Sequence, residues 1–237
     1  MPVAKPFRII PCTEWGARPP KQPISAAGKF DKAVFHHTAG HHPELPPLEP
    51  AETYEEARAY ARAIQAAHMS PPRNWLDSGH NFFVARSGHI FEGRHRSLEL
   101  LEKGRAPVSA HCPGQNDQPG VELEHLGSEP LSVIQREAAV WLFAMICREG
   151  GFEADRIRPH REFIATACPS EALMAALPAF RASINAALKP VPDVWQPGDP
   201  VWQDLPGPQP KPDPWFWDAL EELERRKRIL AELSPAR

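Results

Sequence analysis

The chain has 237 residues, 42% of them apolar and 24% charged, enough for one sizeable domain with an extension. Its formal charge of −3, from 27 Lys+Arg against 30 Asp+Glu, provides no net attraction to nucleic acid or to an anionic membrane. No apolar run approaches the ~18 residues of a membrane span, and Met1-Pro2-Val3-Ala4-Lys5-Pro6 leads into no apolar segment of the kind a signal peptide requires.

In chain order, Ala33 to Phe35 is a short apolar run that ends on His36 and predicts a buried strand. Thr53-x-x-Glu56 is a capping box opening a helix to about His68, with Ala57, Tyr60, Ala61, Ile64 and Ala67 at helical spacing. Ser70-Pro71-Pro72 ends it. Asn81–Arg86 and His89–Phe91 flank Ser87-Gly88 and predict a hairpin. Val121 to Leu126 alternates apolar and charged residues, as a half-buried strand would. Ser132-x-x-Gln135 opens a second helix closed by Gly150-Gly151, with Ile134, Trp141, Met145 and Ile146 as core. A third helix spans about Ser170 to Leu188, with Pro178 as a possible kink. Strands alternating with helices predict an α/β fold with a mixed central sheet flanked by helices.

Composition changes at the end. Nine prolines between Pro190 and Pro214 predict an extended linker carrying Trp195 and Trp202. Asp213-Pro214 then opens a short amphipathic helix, with Phe216, Leu220, Leu223, Leu230 and Leu233 in one stripe. Such a helix is marginal alone and is expected to dock on the catalytic domain or self-associate. The expected organisation is a catalytic domain over 1–187, a linker over 188–213 and a helix over 214–237.

Two distant segments carry the chemistry. One is His36-His37-Thr38, at the end of the first strand; the other holds His160 and, eight positions later, Cys168. A strand-end histidine with a later histidine and cysteine makes a three-ligand N/S set that zinc accepts, leaving a fourth position open for catalysis. With Cys168 as a ligand, Cys12, Cys112 and Cys147 remain, an odd number. That argues against a disulfide framework and for synthesis in a reducing compartment.

Five segments, taken together, give the chain its resemblance to a known family. They are Trp15-Gly16-Ala17-Arg18-Pro19; Phe35-His36-His37-Thr38; and Trp75-Leu76-Asp77-Ser78-Gly79-His80-Asn81-Phe82, running into Gly88-His89-Ile90-Phe91-Glu92-Gly93-Arg94. Then come Ala110-His111-Cys112 with Asn116 and Gly120-Val121-Glu122, and last His160-Arg161-Glu162 with Thr166 and Cys168-Pro169. The chain thereby resembles the zinc-dependent type 2 N-acetylmuramoyl-L-alanine amidases and the peptidoglycan recognition proteins that share their fold. The resemblance covers roughly residues 8 to 185.

It implies zinc ligands His36, His160 and Cys168, and peptidoglycan as the partner. Many relatives have Tyr-His where this chain has His80-Asn81, so no phenol is available there. Other branches use a glutamate in a Gly-Ile-Glu strand, and Gly120-Val121-Glu122 matches that pattern. The resemblance thus favours Glu122 as acid/base, its pKa raised by burial, over His80. It places Thr166 at the reacting carbonyl, and His37, Trp75, His111 and Asn116 as substrate contacts. His41, His42, His68, His89, His95 and His125 have no such support and read as ordinary. The activity implied is hydrolysis of the amide between N-acetylmuramic acid and L-alanine. Without a signal peptide, the resemblance implies a phage or prophage endolysin, made in the cytoplasm and acting on the wall after release. The competing reading is a recognition module that binds peptidoglycan without cutting it; such members commonly lose the cysteine ligand. A third reading is a zinc hydrolase for another acyl-amide.

Overall fold

The computed structural model describes residues 7–40 and 53–189. Eight strands and five α-helices alternate along these residues. The first part runs β1 (Ile9–Ile10), α1 (Cys12–Trp15), β2 (Ala26–Lys29), β3 (Ala33–His37) and α2 (Tyr54–Met69). The hairpin β4 (Phe82–Val84) and β5 (Ile90–Glu92) follows, then α3 (Ser97–Leu101), β6 (Arg105–Pro107) and β7 (Gly120–Leu123). Last come α4 (Val133–Gly150), β8 (Ile157–Pro159) and α5 (Glu171–Leu188). The expected mixed α/β architecture is present. The linker and terminal helix expected beyond Lys189, like His41 and His42, lie outside the described residues.

Six strands form one sheet in the order β1-β5-β4-β7-β3-β8, and β2 pairs with β6 apart from it. Only the β4–β5 hairpin is antiparallel; the other four pairings of the large sheet are parallel. Alternation divides the side chains between two faces. Phe35, Phe82, Val84, Val121, Leu123 and Ile157 join the larger core, with residues of α4 and α5. Phe83, Ala85 and Phe91 lie on the other face, against Cys12 and Trp15 of α1 and Ala57 and Ala61 of α2. The core under β3 is aromatic: Phe35 stacks on Phe180 at 5.8 Å and meets Phe143 edge-on at 5.9 Å.

Helix starts follow local chemistry. Thr53 and Glu56 form a reciprocal capping box on α2, and Ser170 accepts from the Leu173 N–H at the head of α5. Helix α5 continues through Pro178 to Leu188. Helix α4 departs from expectation in an informative way. Ser132 caps it as predicted, accepting from the Gln135 N–H, but Gln135 does not complete a box. Its side-chain amide donates instead to the carbonyls of Val84 at 3.1 Å and Glu124 at 2.8 Å, tying β4 to the end of β7.

The half-buried strand predicted over 121–126 is a second difference. β7 is covered on both faces, so Glu122 is only 6% exposed and Glu124 1%. A central strand between two helical layers has no wet side. Glu124 is accommodated because its carboxylate accepts from the Arg86 N–H at 3.1 Å. Among the described residues, no helix is long and apolar enough to cross a membrane.

Gln135→Met retains the volume and leaves two buried carbonyls without this donor. The expected loss is about 1–3 kcal/mol, read as a lower urea midpoint with an unchanged slope. A midpoint equal to wild type would contradict the stitching role.

Candidate functional site

The site is a row of side chains laid level across three strands. His36 of β3 pairs with Glu122 of β7, and Phe35 pairs with Pro159, the last residue of β8. His160, one position further, therefore reaches the level of His36. Alternation that sends Phe35 and Val121 into the aromatic core sends His36 and Glu122 to the opposite face. The His36 and His160 rings lie 4.3 Å apart between centroids.

Cys168 arrives from the loop that follows. The Arg161 guanidinium donates to the carbonyls of Ala167 and Pro169 and folds that loop back. Its sulfur accepts from the His37 N–H at 3.3 Å and lies 3.8 Å from His36 Nδ1. One ligand atom from each of His36, His160 and Cys168 falls within 4.8 Å of the other two.

The donor set fits a soft, tetrahedral cation such as zinc. The clearest sign is His160, whose two ring nitrogens are both buried without a hydrogen-bond partner. Such orphans call for a ligand. Burial, reinforced by His80, pushes His160 down to about 4, and burial with the neighbouring rings holds His36 well below the ordinary histidine value. Both are neutral, ligand-competent imidazoles near neutral pH. Burial pushes the Cys168 thiol up to about 12, so metal uptake must displace its proton.

Glu122 stands beside this triad, with His80 Nδ1 3.1 Å from Glu122 Oε2. The contact is of ion-pair length but lacks hydrogen-bond alignment, and both atoms have no hydrogen-bond partner. Burial raises the Glu122 carboxyl, but His80, His68 and His37 together outweigh it, and the net displacement is downward. This reverses the expectation of a raised pKa. Glu122 is poised as a carboxylate, a proton acceptor, because its neighbours are imidazoles rather than apolar groups.

His68, His80 and Glu122 form a second close trio, also within 4.8 Å. Its chemistry differs from that of the first. The Gly79 N–H donates to His68 Nδ1 at 3.1 Å, which leaves the ring proton of neutral His68 on Nε2. A nitrogen carrying a proton does not ligate a metal, so neutral His68 offers this trio no ligand atom.

The remaining expected site residues are distributed as follows. His37, next on the strand, faces His125 at 6.1 Å between ring centroids. Trp75 lies against His68 at 4.9 Å, and a Cβ at Gly79 would come within 2.4 Å of its ring. Thr166 accepts from the Cys168 N–H at 3.2 Å. Asn116 accepts from the Cys112 N–H at 2.9 Å, and His111 is buried behind His36. Of the histidines read as ordinary, His68 belongs to the cluster, while His125 lies against His37. His68 was detectable, since it extends the Ala57, Ala61, Ile64 stripe by another turn; His125 carried no local signal. A cavity of about 470 Å³ lined by Phe7, Ile10, Tyr54 and His89 shares no residue with this site.

The chain and its fold have counterparts among known proteins. The N-acetylmuramoyl-L-alanine amidase family matches residues 26–171, and the chain belongs to that family. Peptidoglycan-recognition protein SC2 of Drosophila melanogaster is 29% identical over 165 residues, covering 68% of this chain and 79% of the relative. An N-acetylmuramoyl-L-alanine amidase of Mus musculus is 28% identical over 172 residues, covering 70% of this chain but 29% of the mouse protein. Among solved structures, Drosophila peptidoglycan recognition protein LB superposes with a TM-score of 0.59 at 25% identity, over 72% of this chain and 92% of that one. The endolysin amidase of Clostridium intestinale shares the fold, with a TM-score of 0.53 at 19% identity over 73% and 93% of the two chains.

Proposed function

We propose that this protein binds zinc through His36, His160 and Cys168 and hydrolyses the amide between N-acetylmuramic acid and L-alanine of peptidoglycan. The observation that carries the reading is the Glu122 carboxyl group held beside a complete N/N/S ligand set. A binding module needs neither the thiol nor the carboxylate. Family membership supports the bond cleaved, and relatives solved with tracheal cytotoxin, the recognition proteins LCa and LCx, support peptidoglycan as the partner.

Held by His36, His160 and Cys168, zinc would supply Lewis acidity for the amide carbonyl and for a water near neutral pH. The chain supplies the rest. Glu122 accepts the proton of the attacking water and returns it to the alanine nitrogen as the carbon–nitrogen bond breaks. His80, at 3.1 Å, favours the ionised form of Glu122 before that transfer. The Thr166 hydroxyl accepts from the Cys168 N–H and retains its own proton as a donor, for which the developing oxyanion is the proposed acceptor. His37, Trp75 and Asn116 are the proposed rim for the glycan and stem peptide.

Mass spectrometry of digested peptidoglycan tests the bond. New free L-alanine amino termini are expected. Tight binding with no cleavage would establish the recognition module instead, and a different new terminus another hydrolase.

Glu122→Gln retains the shape and loses the proton acceptor, so kcat/KM should fall by about 10²–10⁴-fold with zinc content unchanged. His80→Phe should cost less at its optimum. It removes the strongest influence opposing burial, so the Glu122 pKa rises and the acidic limb of the pH–rate profile moves to higher pH. An inactive His80→Phe beside a nearly normal Glu122→Gln would transfer the base role to His80.

A further inference from the structure

We infer that His111 is a positioning residue, which fixes the tautomer of His36 so that Nδ1, and not Nε2, is the nitrogen offered to the metal. The inference rests on the zinc reading above for its purpose, but its geometry stands apart from it.

The argument starts at a backbone carbonyl. His111 Nε2 lies 2.9 Å from the Gln118 carbonyl oxygen, which can only accept, so this nitrogen carries the ring proton. In neutral His111 the other nitrogen, Nδ1, is then a bare acceptor. It faces His36 Nε2 at 3.0 Å. Two lone pairs would repel at that distance, so His36 Nε2 must carry the proton and donate it. The lone pair of neutral His36 is left on Nδ1, the atom 3.8 Å from the Cys168 sulfur. One fixed carbonyl thus decides, through two rings, which His36 nitrogen ligates. Metal-bound histidines commonly donate their second N–H to a carbonyl or carboxylate; here a second histidine stands between.

The surrounding residues hold His111 in that role. A Cβ on Gly120 would lie 2.5 Å from His111 Cγ and Cδ2, so the ring rests on bare backbone. Gly120 cannot withdraw, because Asn81 clamps it: the Gly120 N–H donates to Asn81 Oδ1 at 2.8 Å, and the Asn81 N–H donates to the Gly120 carbonyl at 2.9 Å. The Ala110 N–H donates to the Gly79 carbonyl at 3.0 Å, and the Cys112 N–H donates to Asn116 Oδ1 at 2.9 Å. Both neighbours of His111 are therefore fixed through their own backbone N–H groups, one by a carbonyl and one by a side-chain amide. His111 is only 6% exposed, which favours this positioning role over the expected substrate contact.

Two measurements on the full chain test this. In the zinc-free protein, NMR correlating ring protons with ring nitrogens should show His36 as the Nε2–H tautomer. Zinc affinity, from competition with a chelator, should fall by about 10–100-fold in His111→Phe. His111→Asn places an amide oxygen near the former Nδ1 and should recover most of that loss. A wild-type His36 protonated on Nδ1 would overturn the inference, even if the variants failed to fold. So would His111→Phe with wild-type affinity, or His111→Asn as impaired as His111→Phe, which would reduce the ring to packing. Absence of zinc binding by the wild type would refute the proposed function, while the NMR result still decides the tautomer.

Discussion

The parallel pairing of β3 with β7 and β8 is the constraint on which the rest depends. It sets His36, Glu122 and the residue after Pro159 at one level. A one-residue slip of β7 would exchange Glu122 for Val121 in the site and bury a carboxylate in the aromatic core. The opposite face of the sheet prevents that slip. Phe35 packs between Phe143 and Phe180, and such aromatic pairs add about 0.5–1.5 kcal/mol each beyond burial. The packing that stabilises the domain is thus also what aligns the chemistry.

The same burial sets the electrostatics. Several imidazoles crowd one cleft, an arrangement that would repel strongly if they were charged. Desolvation keeps His36, His68, His111 and His160 neutral by lowering their pKa values. Neutral rings can act as metal ligands or as donors of fixed direction, and backbone groups decide which. The Gly79 N–H leaves the proton of neutral His68 on Nε2, and the Gln118 carbonyl, through His111, assigns the His36 lone pair. Glycines at 79 and 120 allow the backbone to approach Trp75 and His111 closely enough for this.

Much of this was legible in the residues. The strand-end His36, the His160–Cys168 step and the Gly-Val-Glu segment pointed to residues that the fold brings together, because ligand and carboxylate chemistry leave few substitutes. The helix starts at Thr53 and Ser132 were local side-chain matters and were readable for that reason. The misread features depend on contacts remote in sequence. Glu122 looked half exposed because alternation alone cannot reveal a layer on each side of the sheet. Its pKa direction depended on His80 and His68, which approach it only in the fold. The positioning role inferred for His111 left no trace in the sequence, because nothing near it shows Gly120 beneath its ring or His36 before it.

The central claim is that strand register delivers two histidines and one cysteine to a single ion. X-ray absorption of the zinc-loaded protein tests it most directly. The account predicts one sulfur at about 2.3 Å and lighter N/O donors at about 2.0–2.1 Å, with the sulfur shell lost in Cys168→Ser. A zinc shell of nitrogen and oxygen alone, or a sulfur shell that survives Cys168→Ser, would contradict it.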